Sequence, residues 1–465
     1  MQLGDKRHEL GAQLLRPRRY ASRMNLRASA PLPRRVILRG GLATFASLMG
    51  ARLLSGCSSP SPNDAGTDAV LGADAVLGSD APLVDAYVAP DAFVATSFQP
   101  NVLGARPALR SLIGEIGLLE TANADGLRLP AGFTARIVAV SGEMVSGTSY
   151  AWHTFPDGGV CFPLPDGGWV YTSNSEFPLR GGVGALRFDR DGMLVSAARI
   201  LDGTSVNCAG GGTPWGSWLS CEEVPRGLVW ETDPLGIQAP QARPALGLFK
   251  HEAVCVDASA NQLYLTEDEP TGCFYRFTPT MLTSAGHADL RAGRLEVASV
   301  TEEGAVSWHE VPDPQFAGSL ALRDQVEAAT HFRGGEVIWF HEGVVYFSTK
   351  GDNHIRALDV ATQRITVLYD AATSPNPILR GVDNLTVTCC GDVLVAEDGG
   401  DMQIVAILPD GTLRPIMQIE GQDGSEIAGP AFDPSGTRLY FSSQRGGMRG
   451  LGITYVLEGP FHAPA

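Results

Sequence analysis

Positive charge is scarce in most of this chain. Of its 465 residues only Lys6, Lys250 and Lys350 are lysines, and eleven of the 35 Lys and Arg residues lie within the first 52 positions. Beyond that point 24 basic residues face 49 acidic ones, a net of −25. A domain so short of cations cannot cover a phosphate backbone, which excludes nucleic-acid binding, and its acidity suits cation binding. Helical periodicity is nearly absent too, which excludes a helix bundle. The most apolar stretch, 40–56, is short, rich in Gly and Ala and interrupted by Arg52, so it is a poor membrane span. Cysteine is sparse: apart from Cys57 the chain has seven, at 161, 208, 221, 255, 273, 389 and 390, an odd number that leaves at least one unpaired.

The basic N-terminal segment reads as an address. Pro33-Arg34-Arg35-Val36-Ile37-Leu38-Arg39 precedes the apolar stretch, which closes on Leu54-Ser55-Gly56-Cys57. The arrangement resembles a twin-arginine export signal ended by a lipobox, with Cys57 as the lipid-bearing end of the mature protein and Met24 as an alternative start. Residues 58–100 hold Asp at 64, 68, 74, 80, 85 and 91 among small residues and Pro, with no Lys or Arg, and read as a solvated tether. The expected organisation is a signal over 1–57, a linker over 58–100 and one folded domain over 101–465. That domain is expected to be exported to the periplasm or outer surface, held at a membrane only by the lipid, and monomeric.

What the folded part has in abundance is a repeat. A turn with Gly or Asn, a β-rich run and a polar tip recur at 168–172, 216–220, 261–266, 343–348, 391–396 and 436–442, and the last residues of the copies are spaced by 48, 46, 82, 48 and 46. Blades of four short strands have this length, and one blade cannot bury its own apolar face, so the spacing predicts an all-β, six-bladed propeller. Strands expected at 133–140 and 453–457 would pair within one blade and close the ring. The long interval contains 313–331, whose Ala, Leu, Gln and Glu content after Asp313-Pro314 predicts a short helical insertion in one blade, able to cover the channel mouth. A degenerate seventh blade is the alternative.

The polar tips carry the chemistry. Behind the runs come Asn174 and Glu176; Glu222 and Glu223; Glu267, Asp268 and Glu269; Lys350 and Asp352; Glu397 and Asp398; then Gln444. Superposed blades would bring these groups near one axis, where unpaired carboxylates are costly unless cations neutralise them. The pattern therefore predicts a multi-metal site.

The most distinctive run is Asn207-Cys208-Ala209-Gly210-Gly211-Gly212-Thr213-Pro214-Trp215-Gly216-Ser217-Trp218-Leu219-Ser220-Cys221-Glu222-Glu223. Three glycines after a cysteine let backbone approach a thiol closely, and the strand beyond delivers two carboxylates. This run resembles the PhoX-type secreted alkaline phosphatase family nearly residue for residue. Gly247-Leu248-Phe249-Lys250-His251-Glu252-Ala253, Tyr264-Leu265-Thr266-Glu267-Asp268, Arg333-Gly334-Gly335-Glu336, Phe347-Ser348-Thr349-Lys350-Gly351-Asp352, Asp383-Asn384-Leu385, Ala396-Glu397-Asp398-Gly399 and Ser425-Glu426-Ile427-Ala428-Gly429-Pro430 are similar to further family segments. Ser175 departs from the family, many of whose members have His there.

The resemblance implies a six-bladed propeller with a mixed iron (Fe3+) and calcium (Ca2+) cluster that hydrolyses small-molecule phosphate monoesters. It implies Cys208 as the soft ligand to iron, with Glu222 or Glu223 and Glu267 as hard ligands, since ferric iron accepts thiolate and carboxylate whereas calcium takes oxygen only. Asn174, Glu176, Glu336, Asp383 and Glu397 are calcium or bridging candidates, and Glu252 is a further metal candidate. Arg333 and Lys350 are the candidates to clamp phosphate.

Each reading has a plainer rival. A Glu-Glu pair at a strand end is usually solvated, His251 is more often a satisfied core histidine than a ligand, and Asp268, Glu269 and Asp398 suit turns. Cys221, Cys255 and Cys273 read as core hydrophobes and Cys389-Cys390 as turn filler. At the level of function the alternatives are a noncatalytic, calcium-stabilised surface propeller that binds a partner, and another propeller hydrolase such as a lactonase, which would have no use for Cys208.

Overall fold

The structure, a computed structural model, describes residues 97–465. The export signal over 1–57 and the linker up to residue 96 lie outside the described residues. Six antiparallel sheets of four or five strands follow one another along the described chain and form a ring. Their first strands are Pro156–Pro163, Asn207–Gly212, His251–Asp257, Gly335–His341, Val382–Val387 and Ile427–Phe432. Each lies against the first strand of the next sheet, and the sixth against the first, so these strands line the centre. The architecture is the six-bladed propeller that the repeat predicts.

The cassettes are the second strands: Trp169–Ser175, Trp218–Glu222, Gln262–Glu267, Val344–Thr349, Val393–Glu397 and Arg438–Ser443. The turns before them need left-handed backbone. In blade four His341 pairs with Val344, so the hairpin loop is Glu342-Gly343, with φ of 45° and 84°. Two positive φ values in a two-residue loop match the right-handed twist of the strands it joins. Inner strands are buried on both sides: Val393–Glu397 and Gln403–Ile407 are buried throughout. Between blades the core is closed by aromatic stacking, as where Tyr171 meets Tyr440 at 5.1 Å and Phe274 meets Phe347 at 4.7 Å.

The ring is closed as expected. Thr134–Val140 pairs with Ile453–Glu458 as the outer strand of blade six, so distant parts of the chain share one sheet. Leu109–Ser111 and His462–Pro464 form a two-stranded clasp. The long interval is filled differently from the expectation. Blade three has a fifth strand, Val306–Glu310, and the helix predicted over 313–331 is reduced to one 3-10 turn, Leu322–Asp324. The polypeptide there folds on local side-chain anchors: Asp313 accepts from Gly318 N, and Gln325 donates to Asp313 O. Phe316, Leu322, Val326 and Ala329 pack on the blade-three core, so tertiary contacts override propensity.

Candidate metal centre

Two rings of side chains surround one end of the axis, and local backbone geometry sets both. Each inner strand carries a bulge near its start, with register shifts at 156/159, 207/210, 251/254, 335/338, 382/385 and 428/431. The first residues within these bulges are Asp157, Cys208, Glu252, Glu336, Asp383 and Gly429. A bulge leaves one residue out of the ladder and re-aims its side chain. Five of the six positions bring an ionisable group. The sixth is glycine because a Cβ on Gly429 (φ +62°) would meet Asp157 O at 2.6 Å.

The second ring follows the second strands. The residue just past each strand is Glu176, Glu223, Asp268, Lys350, Asp398 or Gln444. Side chains alternate along a strand, so these residues turn to the axis while the terminal strand residue turns away.

The rings bring ligand atoms together. Glu176, Cys208 and Glu223 lie within 4.8 Å of one another, as do Asp157, Glu176 and Glu426; Glu252, Glu336 and Asp383; and Asp383, Asp398 and Glu426. Shared members make these one continuous group. Among the described residues three cations answer the carboxylates. Lys350 Nζ is 3.3 Å from Glu336, 3.1 Å from Asp383 and 3.1 Å from Asp398. Arg445 pairs with Glu176 and Glu426, each at 3.1 Å, and Lys250 with Glu223 at 2.8 Å and Asp268 at 3.2 Å.

That is too little positive charge. Burial first, then neighbouring carboxylates, hold the carboxyls of Asp157, Glu252, Glu336 and Glu426 well above their usual range. Burial lifts Glu223 to about 8 despite Lys250. Burial, then Asp157, Glu252 and Glu223, push the Cys208 thiol up. Burial would lower Lys350, but Asp383, Glu336 and Asp398 carry it well above a free lysine. Glu252 is the extreme case: it is fully buried, and neither carboxylate oxygen has a hydrogen-bond partner. An orphaned buried carboxylate amid others fits a cation and little else.

Of the residues expected from the sequence, Glu176, Cys208, Glu223, Glu252, Glu336, Asp383 and Lys350 converge here. Asn174, Glu222, Glu267 and Glu397 stand outside these groups, with their polar atoms engaged elsewhere. Asn174 donates to the Cys208 and Ala209 carbonyls and accepts from Trp218 Nε1 and Ser220 Oγ. Glu222 accepts from Ser205 N, Leu228 N and Trp230 Nε1. Glu267 accepts from Cys273 N, Tyr275 Oη and Arg323, and Glu397 from Arg380 N and Gln403 N. The three glutamates end their strands and tie down the loop beyond. Arg333 is exposed, and its carbonyl accepts from Gly351 N beside Lys350.

Sequence reasoning passed over Asp157, Glu426, Lys250 and Arg445, and weighed Asp398 as a turn residue. A signal was present. Asp157, Cys208, Glu252, Glu336 and Asp383 are separated by 51, 44, 84 and 47 residues, close to the cassette intervals but one strand earlier.

Comparison with known proteins agrees with this geometry. The family described as "Alkaline phosphatase PhoX" matches residues 171–229 and 225–366, which include Glu176, Cys208, Glu223, Glu252, Glu336 and Lys350. No curated protein matches the chain. Among solved structures, Pseudomonas fluorescens PhoX in complex with vanadate, a transition state analogue, is similar with a TM-score of 0.61 and 16% identity, over 77% of this chain and 98% of that one. The gluconolactonase XC5397 of Xanthomonas campestris matches at a TM-score of 0.38 and 16% identity, over 79% and 99% of the two chains. At these identities the structural likeness concerns the fold alone. Over residues 171–366 the chain is therefore similar to the PhoX alkaline phosphatases.

Proposed function

We propose that this protein is a metal-dependent phosphatase that releases phosphate from small organic phosphate monoesters outside the cytoplasm. Export by the arginine-pair signal and anchoring through Cys57 are part of the proposal, as is a monomeric state. The observation that carries metal dependence is Glu252, buried with both oxygens unpartnered beside Glu336 and Asp383.

Donor chemistry divides the site. Cys208, Glu176 and Glu223 offer one sulfur with oxygens, a set that suits ferric iron. Glu252, Glu336, Asp383, Asp398, Glu426 and Asp157 offer oxygen only, which suits calcium. Bound cations supply positive charge for the phosphoryl oxygens and acidify water. The chain's own residues do the rest. Glu336, Asp383 and Asp398 would hold cations, and Lys350, which now pairs with all three, would then be free to meet a phosphoryl oxygen as a point charge. Arg333, exposed at the adjoining turn, presents a planar fork to the same group. Arg445 stays with Glu176 and Glu426 and orients them.

The test is elemental analysis of the exported protein, with p-nitrophenyl phosphate turnover measured before and after chelation. Iron with calcium and chelator-sensitive turnover support the proposal. A folded protein with calcium, no iron and no turnover would overturn it in favour of a noncatalytic surface propeller.

A further inference from the structure

The opposite end of the ring carries another set of metal-ligand atoms. The first strand of blade five, Val382–Val387, begins beside the acidic centre and runs out at the far face into the turn 388–392, where Cys389 and Cys390 are neighbours. That turn is locked by Thr388 N donating to Asp392 O and by Asp392 N donating to Thr388 Oγ1. His462 arrives from the C-terminal strand of the clasp. Both sulfurs and a ring nitrogen of His462 lie within 4.8 Å of one another.

The details fit a metal better than a turn. The two sulfurs are 3.7 Å apart. Two thiolates each about 2.3 Å from a tetrahedral zinc stand roughly 3.8 Å apart. His462 is 6% exposed, and its ring lies edge-on to Phe432 at 5.1 Å. Nδ1 is 2.7 Å from Gly436 O. A carbonyl only accepts, so Nδ1 carries the proton and the lone pair of the neutral ring lies on Nε2. Nε2 is buried with no hydrogen-bond partner. One ring nitrogen held by a backbone carbonyl and the other left bare is the arrangement of a metal-bound histidine. Cys390 Sγ faces its neighbour's sulfur, Leu109 O at 3.4 Å and the backbone of Ser111. Cys389 is exposed, and a pocket of about 60 Å³ lined by Arg106, Cys389 and His462 gives access.

We propose that Cys389, Cys390 and His462 bind one zinc-class divalent cation, with water completing the tetrahedron. The site is separate from the acidic centre. It would staple the clasp of Leu109–Ser111 and His462–Pro464 to blade five, tying both ends of the folded chain to the ring. Ligands that come together only on folding turn metal affinity into fold stability.

The experiment uses the reduced full chain and Co2+ as a spectroscopic substitute for Zn2+. Cys208→Ser serves as background, because it removes the thiolate of the acidic centre. That variant is expected to keep an intense thiolate-to-cobalt band at one equivalent, and adding Cys389→Ser or His462→Gln is expected to abolish it. In the unmutated chain, Zn2+ should shield Cys389 from a thiol reagent and raise Tm, with chelation reversing both. Cys389→Ser alone should leave p-nitrophenyl phosphate turnover unchanged. The proposal is overturned if Cys208→Ser shows no thiolate–cobalt band and Zn2+ gives Cys389 no protection. It is equally overturned if the freshly purified chain is about 2 Da light through a Cys389–Cys390 disulfide.

Discussion

Cys208 Sγ lies 3.7 Å from Asp157 Oδ2, across the junction between the first and second blades. Each stands on the bulge of its own inner strand, so the contact exists only because two blades carry the same irregularity at the same height. Replacing Cys208 with Ser keeps the volume and removes the soft donor. Iron content should fall to near zero while calcium content and far-ultraviolet circular dichroism stay as they were. Full iron retention in that variant would remove Cys208 from the ligand set.

Lys350 is the strongest test of the phosphate clamp. Lys350→Met keeps the stem and removes the charge that faces Glu336, Asp383 and Asp398. Turnover divided by KM for p-nitrophenyl phosphate should drop about 10- to 100-fold, equivalent to roughly 1.4–2.8 kcal/mol. Metal content, measured on the same sample, should be retained. Unchanged kinetics would reduce Lys350 to a counter-ion.

The metal-free protein should have an inverted pH response. Burial raises Glu223 from 4.5 to about 8, and it holds Asp157, Glu252, Glu336 and Glu426 above their usual range as well. A carboxyl whose folded pKa is raised keeps its proton longer folded than unfolded. Its contribution is complete below the unfolded value and is lost as pH rises through the folded one. Tm of the chelated protein should therefore fall between about pH 4.5 and pH 8. Cations take the place of those protons, so the loaded protein should show no such fall. Calorimetry across that range, with and without chelator, checks both arms.

Asn174 separates scaffold from ligand. Its four hydrogen bonds hold the Cys208 and Ala209 carbonyls and cap Trp218 and Ser220. Asn174→Ala strands buried partners, each worth about 1–3 kcal/mol. A loss on the order of 2–4 kcal/mol is expected in denaturant unfolding. Iron bound per folded molecule should be largely kept. A variant of normal stability with depleted metal would make Asn174 a ligand after all.

The repeat length, the turn glycines and the alternating runs were legible because they are local: period two, positive φ and spacing need no partner. Residues 313–331 misled for the same reason, since helix propensity is local while Leu322 and Phe316 answer to the blade-three core. The pair Glu222-Glu223 shows the limit most clearly. As sequence the two residues are interchangeable, yet the pleat sends Glu223 towards Cys208 and turns Glu222 back onto Ser205 and Leu228.

The sequence by itself determined that six similar sheets would form and that carboxylates would recur at five of the six strand tips. Hydrophobic periodicity and turn chemistry act within a few residues, and the blades, having no other way to bury their faces, must associate. Only the tertiary structure decided which carboxylates face the axis. That choice depends on bulges aligned across six inner strands and on neighbours hundreds of residues away, such as Gln444 donating to Asp157, and no window of sequence contains both partners.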